Sequence, residues 1–323
     1  VDAKFKKRVA MKVLFIVTEL DHPLKMNSFI YAQGESLRQM GIDVTYLFLT
    51  GRGPLKYFLG IFKINQEVKK QKYDLIHGHF SFNSYVASFQ KQVPIVASFL
   101  GSDILRPNKG LFGILNAHVT KRVKSSAKYF IYKTKEMAKV NRMDPFSIIP
   151  NGVNLEIFKI VDKTVARKKI GLDPCKKYVL FASDPARDEK NFPLVEKAMT
   201  HIQDKTVELL IVKNVDQDRL NLYYNACDVL VVSSLREGSI NTVKEALAVN
   251  LPVVAVDVGD IRQHSRHVGN VVISTRDSSD FAKDVLKVLS CEEKYNSRDY
   301  IETNLSVGSI AEKISNIYNR VLS

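Results

Sequence analysis

Cysteine is scarce. Cys175, Cys227 and Cys291 form an odd set with no close pair, so the chain offers neither a disulfide framework nor a cysteine metal motif, and the usage fits a reducing cytosol. Long apolar runs are missing too. The most apolar stretches, such as Val13–Val17 and Val229–Val232, fall far short of the ~18 residues needed to span a bilayer, which excludes an integral membrane protein. No repeat or low-complexity segment interrupts the chain. A signal peptide is not expected: Lys4, Lys6, Lys7 and Arg8 precede Met11, but the apolar run after them is short and has no cleavage site. Met11 reads as the natural start and residues 1–10 as a leader. Acidic residues are sparse in one half only. Residues 1–150 hold 10 of them against 24 Lys and Arg, whereas the remainder balances 24 against 24. The whole net charge of +14 therefore lies in the first half, which points that half toward an anionic partner or leaves it a solvated basic surface.

What is present describes a globular α/β protein. A chain of 323 residues with 45% hydrophobic and 25% charged residues suits two domains with sizeable cores. Short apolar runs alternate with helical patterns. Strands are predicted at 12–17, 43–49, 73–77, 94–99, 128–132 and 146–149, then at 178–182, 207–212, 228–232, 252–256 and 270–273. Helices are predicted at 28–40, 192–201, 218–226, 240–249 and 279–289, with Ser306 capping a last helix. Strands apolar on both faces, alternating with helices, imply parallel sheets covered on both sides. The expected architecture is two doubly wound, Rossmann-like domains facing across a cleft: residues 11–152 and 153–305, with the helix 306–323 packing back on the first. The boundary falls in Ile149–Asn154, where Pro150 and the Asn151-Gly152 pair read as turn chemistry.

Tyr224–Asp260 reads as strand, loop, helix and strand. Within it Glu237 and Gly238 sit in the loop, Ser239, Ile240, Asn241 and Thr242 begin the helix, and Glu245 follows Glu237 by eight residues. Unsatisfied N–H groups at a helix start suit an anion, and two carboxylates could grip two hydroxyl-rich parts of one ligand. Phe181–Phe192 (F-A-S-D-P-A-R-D-E-K-N-F) places Arg187 and Lys190 in the loop after a strand; Arg187 is open to a second reading as a rim charge.

These segments, with K-V-L-F-I-V-T-E and A-S-F-L-G-S-D-I in the first half, resemble the retaining family-4 glycosyltransferases of the GT-B fold, whose hallmark is Glu, seven residues, Glu. The resemblance covers almost all of the chain from Met11. It implies that Glu237 contacts the transferred sugar, Glu245 the nucleotide ribose, and Lys190 and Arg187 the diphosphate. The family's usual Gly-Arg pair is missing at Arg187. Asn27 and Ser28 stand where relatives carry glycines that approach donor phosphate and acceptor. Leu100 replaces a His that many relatives place before Gly-Ser-Asp, leaving His79 as a substitute contact or a packed structural residue. Asp103 bonds an acceptor hydroxyl or caps the next helix.

The resemblance implies a hexosyltransferase-type, metal-independent retaining enzyme with no cofactor beyond its nucleotide-diphospho-sugar. It would act on a saccharide or lipid-linked saccharide, in cell-surface polysaccharide or glycolipid biosynthesis. The alternatives are a nucleotide-sugar epimerase of similar fold, or a non-catalytic binder of sugar nucleotides or anionic polymers. Asp216-Gln217-Asp218 has a metal-site form but precedes a helix, where Asp is an ordinary N-cap, so no metal ligands are expected. Leu55–Lys72 mixes large apolar residues with Lys56, Lys63, Lys69, Lys70 and Lys72. It is either a helix packed on its own sheet or one lying on an anionic membrane surface. No nucleic-acid module accompanies the charge. The expected location is cytoplasmic, peripheral to the inner face of the plasma membrane.

Overall fold

The computed structural model describes residues 10–20, 24–51, 53–101, 103–105, 110–291, 293 and 295–323; nearly all of the expected leader lies outside them. The chain divides into two units, one made of residues 1–150 with 310–323 and the other of residues 151–309.

The first unit alternates β1 (Lys12–Thr18), α1 (Ser28–Gln39), β2 (Asp43–Leu49), α2 (Leu55–Lys70), β3 (Leu75–His79) and α3 (Ser81–Ala87). It continues with β4 (Ile95–Ser98), α4 (Gly110–Ser126), β5 (Tyr129–Tyr132), α5 (Lys135–Val140) and β6 (Phe146–Ile148). Every pairing is parallel, in the order β2-β1-β3-β4-β5-β6. Five consecutive residues of β1 are buried, Val13 to Val17, because helices cover both faces of a central parallel strand. Leu14, Ile16, Ile64 and Ile76 belong to one core cluster, and Phe99, Phe130 and Tyr132 to another.

The second unit runs α6 (Lys163–Ile170), β7 (Lys177–Phe181), α7 (Phe192–Thr200), β8 (Val207–Ile211), α8 (Gln217–Ala226) and β9 (Val229–Val232). Then come α9 (Asn241–Ala248), β10 (Val253–Val256), α10 (Ile261–His264), β11 (Val271–Ser274), α11 (Ser278–Leu289) and α12 (Ser297–Leu305). Its sheet is also parallel, in the order β11-β10-β9-β7-β8. Val179, Val229, Val254 and Phe281 are fully enclosed in its core. The last helix, α13 (Val307–Leu322), carries Ile310, Ala311, Ile314, Ile317 and Tyr318 on its buried side. The Ser306 hydroxyl accepts from the Ser309 amide at 3.2 Å, the N-cap the sequence suggests.

Two expectations change. Asn151-Gly152 makes no positive-φ turn; residues 151–153 run extended, and Val153 pairs with Ser306 as an isolated parallel bridge. Gly152 is needed for closeness, since a Cβ there would lie 2.8 Å from the Val307 Cα. The third strand lies two residues later than the apolar run implies, ending at His79, because Gly78 and the polar His79 continue it and are buried.

Candidate active site

In open parallel sheets ligands collect at the carboxyl ends of the strands, where the strand order reverses. The second unit reverses between β7 and β9. The loop after β7 ends in a short 3₁₀ turn, Asp188–Lys190, and the loop after β9 carries Glu237. The two meet at that point: Lys190 Nζ lies 2.5 Å from Glu237 Oε1, with both side chains less than one-fifth exposed. Ser234 Oγ donates to the same carboxylate oxygen at 2.9 Å. A half-enclosed cation and carboxylate, each with capacity for further hydrogen bonds, can turn to a ligand that brings its own anionic and hydroxyl groups.

The loop backbone is tied down from several sides. Asn191 adopts a left-handed conformation, with φ of 50°, and its side-chain Nδ2 donates to the Ser233 carbonyl at 3.3 Å. Ser233 Oγ returns a bond to the Lys190 carbonyl at 2.8 Å. Arg276, just beyond β11, donates to the carbonyls of Ser233 and Ser234 at 3.3 and 3.0 Å. Gly259, after β10, has φ of +61°, and a Cβ there would stand 2.3 Å from the Gly238 oxygen. Only glycine fits that close, left-handed position.

The helix begins later than expected. Ile240 is the N-cap and Asn241 the first helical residue, so Ser239 and Ile240 belong to the loop. The Ile240 N–H is taken by Asp260 Oδ1 at 3.0 Å, which removes it from the amides offered to an anion. Asn241 Oδ1 accepts from Asn151 Nδ2 at 3.3 Å; Gly238 and Thr242 are partly exposed. Glu245 stands about one turn into α9. Its Oε2 accepts from the Tyr224 hydroxyl at 3.0 Å. Burial pushes its carboxyl up to about 7, against the lowering effects of Tyr224 and Lys244. Arg187 lies apart from the Lys190–Glu237 pair. It is exposed, and Glu189 Oε1 accepts from its guanidinium at 2.5 and 2.9 Å.

Sequence reasoning missed the residues that brace this loop. Lys244, between the two glutamates, has no exposed surface. Its ammonium donates to Ser239 Oγ at 2.7 Å and to the Asn151 carbonyl at 2.8 Å. Burial pulls its pKa down to about 8, partly offset by the charges of Asp260 and Glu245. Burial works against an ionised Asp260, but His264, whose Nε2 lies 3.3 Å from Oδ2, together with Lys244 holds its carboxyl below the usual range. A lysine in a helical pattern reads as solvated, so only its place between Glu237 and Glu245 could have signalled this role. Asp216 does cap its helix, accepting from the Arg219 amide at 2.7 Å.

The first unit reverses between β1 and β3. A cavity of about 740 Å³ opens there, lined among others by Thr18, Asn27, Tyr57, Phe80, Ser81 and Asp103. Asn27 caps α1 through its carbonyl, with no side-chain cap bond, and Ser28 is the first residue of that helix. Asp103 takes the capping role, toward a different helix than expected. Oδ2 accepts from the Ser81 amide at 3.0 Å, and Oδ1 from Leu100 and Gly101 at 3.1 and 2.9 Å, so it fastens the start of the preceding helix α3. Burial raises its carboxyl despite those three bonds. Ser81, which no pattern flagged, is 2% exposed, and its hydroxyl lacks a partner among the described residues.

Of the two readings of His79, the structure takes the packed one. It has no exposed surface, stacks on His77 at 4.2 Å and lies 3.3 Å from Gln33 Nε2. Burial and Lys133 lower its pKa to about 3, so the ring is neutral. It packs within the sheet and presents nothing to a ligand because β3 extends through it. His77 bridges Tyr318 of α13 at 2.5 Å and Ser98 at 2.7 Å.

Residues 22–157 match the family model described as Glycosyltransferase Family 4, and residues 178–291 that of Glycosyl transferases group 1. Both halves therefore match glycosyltransferase family models. Among curated proteins, glycosyltransferase TuaC of Bacillus subtilis, named for teichuronic acid biosynthesis, is 29% identical over 58% of this chain and 54% of its own length. A D-inositol 3-phosphate glycosyltransferase of Catenulispora acidiphila is likewise 29% identical, over 58% of this chain and 56% of its own. The matches thus span about half the length of these relatives. The fold is that of Anabaena HepE, solved with UDP, at a TM-score of 0.75 and 18% identity over 96% of this chain and all of that one. These glycosyltransferase domains contain no helix, among the described residues, long and apolar enough to cross a membrane.

Proposed function

We propose that the protein is a retaining, metal-independent glycosyltransferase of hexosyl type. It moves a sugar from a nucleotide-diphospho-sugar to a hydroxyl of a saccharide or lipid-linked saccharide, in cell-surface polysaccharide or glycolipid biosynthesis at the cytoplasmic side of the membrane. The reading is carried by the Lys190–Glu237 pair at the strand-order reversal of the second unit. On donor binding Lys190 turns to the diphosphate and Glu237 to a sugar hydroxyl. The bond from the sugar to the diphosphate breaks with its electron pair on the leaving oxygen, where a fixed cation stabilises the developing charge most effectively. Arg187 supplies a second cation once it leaves Glu189, Glu245 accepts from the ribose hydroxyls, and the amides of Gly238, Ser239, Asn241 and Thr242 lie toward the phosphates. The HepE complex with UDP supports a nucleotide-sugar donor.

The acceptor belongs to the cavity of the first unit, where Ser81 offers an unpartnered hydroxyl and Asn27 an amide. Product analysis with a panel of UDP-, GDP- and ADP-sugars tests the whole reading. A transferase releases nucleotide and lengthens an acceptor. Change of the sugar without nucleotide release would mean an epimerase, and neither change a binding protein.

A further inference from the structure

Helix α2 is apolar on two faces. Gly60, Ile64 and Val68 are buried inward, as a helix covering a sheet requires. On the outer side Leu55, Phe58, Leu59 and Phe62 are 62, 58, 46 and 55% exposed. Their i, i+3, i+4, i+7 spacing makes one continuous stripe, and the Phe58 and Phe62 rings pack edge to face at 5.2 Å. Burial in the fold accounts for the inner face and leaves the outer one without a partner among the described residues.

The charge around the stripe narrows what covers it. Lys56 and Lys63 flank the apolar turns, and Lys69 and Lys70 close the helix. Its one acid, Glu67, is occupied by the Tyr73 hydroxyl at 2.7 Å. The half of the chain that holds α2 carries the entire +14 excess. A second copy of the same face would set lysines against lysines, whereas an anionic lipid surface accepts both the rings and the ammonium groups.

We propose that the outer face of α2 docks on an anionic bilayer, with Phe58 and Phe62 inserted at the headgroup level and the flanking lysines on lipid phosphates. Pro54, Lys56 and Tyr57, at the start of the same helix, line the first unit's cavity together with the exposed Leu115. Docking therefore brings a wall of that cavity to the lipid surface. The docking stands on the surface alone and does not require the transferase reading.

Co-sedimentation of the full chain with vesicles of mixed phosphatidylglycerol and phosphatidylcholine tests it. Binding is expected to weaken as salt rises. It should fall more than about tenfold in the double variant Phe58→Ser/Phe62→Ser and about fivefold per charge in Lys63→Glu and Lys69→Glu. Both phenylalanines are exposed, so the variant should keep its circular dichroism and its melting temperature, which show that it is folded. The proposal is overturned if the parent ignores anionic vesicles, if it binds pure phosphatidylcholine equally well, or if the double variant binds as tightly as the parent. It is also overturned if the double substitution instead dissolves a dimer in sedimentation equilibrium.

Discussion

The Lys244 ammonium donates to Ser239 Oγ at 2.7 Å from a side chain with no exposed surface. One cation buried within α9 thus holds the loop that carries Glu237, while a second bond to the Asn151 carbonyl at 2.8 Å ties in the extended segment after the domain boundary. Replacing Lys244 by Met keeps most of the volume and removes a charge that burial already disfavours. Stability of Lys244→Met should change by less than about 2 kcal/mol, whereas Lys244→Ala leaves a cavity and should cost about 3 kcal/mol. Urea denaturation of both variants checks this. An equal loss in the two would mean that the ammonium's hydrogen bonds dominate over its packing.

Lys190→Ala removes the cation that meets Glu237 at 2.5 Å. If Lys190 stabilises charge on a departing diphosphate, kcat/KM should fall by about 10²–10³, with only about 1–2 kcal/mol lost in stability. Steady-state kinetics beside thermal melts separate the two effects. A variant with full activity would remove the donor assignment.

Glu245 titrates near pH 7 because burial raises its carboxyl. Only the ionised form accepts fully from ribose hydroxyls, so donor affinity should rise between pH 6 and pH 8. Calorimetry of nucleotide binding should show that rise in the parent and a flat, weaker profile in Glu245→Gln. The stability sign is opposite. The folded state keeps this proton after the unfolded chain has lost it, so the group's contribution is full below about pH 4 and declines as pH rises through 7.

Gly259→Ala places a methyl group 2.3 Å from the Gly238 oxygen at a φ of +61°. The backbone must shift, at a cost of about 2–4 kcal/mol, and the shift falls on the loop that carries Glu237. Melting temperature and nucleotide affinity should drop together. Unchanged affinity in a destabilised variant would show that the loop and the donor site are uncoupled.

The alternation of apolar runs and helical stripes was enough to read both parallel sheets, because strands buried on two faces are uninterrupted, as Lys12–Thr18 and Val229–Val232 are. The apolar pattern misplaced β3, since it did not extend to Gly78 and the polar His79, which are buried within it. It also overlooked α12, where only Ile301 and Leu305 supply buried apolar surface. At the site, Glu237 was legible from its place after an apolar strand, and Lys190 from the family resemblance of its loop. Lys244, Arg276 and Ser81 were not, because what distinguishes them is a partner, or the lack of one, contributed by chain distant in sequence. Asn151-Gly152 carried a turn signal, but the requirement at Gly152 is room for the Val307 backbone.

The first unit needs the end of the chain to be whole. Tyr318 reaches His77 across 241 positions, and Arg320 donates to the Tyr129 hydroxyl at 3.1 Å. During synthesis, then, the opening sheet emerges early but waits for its final buttress until everything between has left the ribosome. A fragment that stops at Pro150 would bare the pocket meant for Ile314 and Ile317, so anyone isolating this half should splice residues 310–323 onto it.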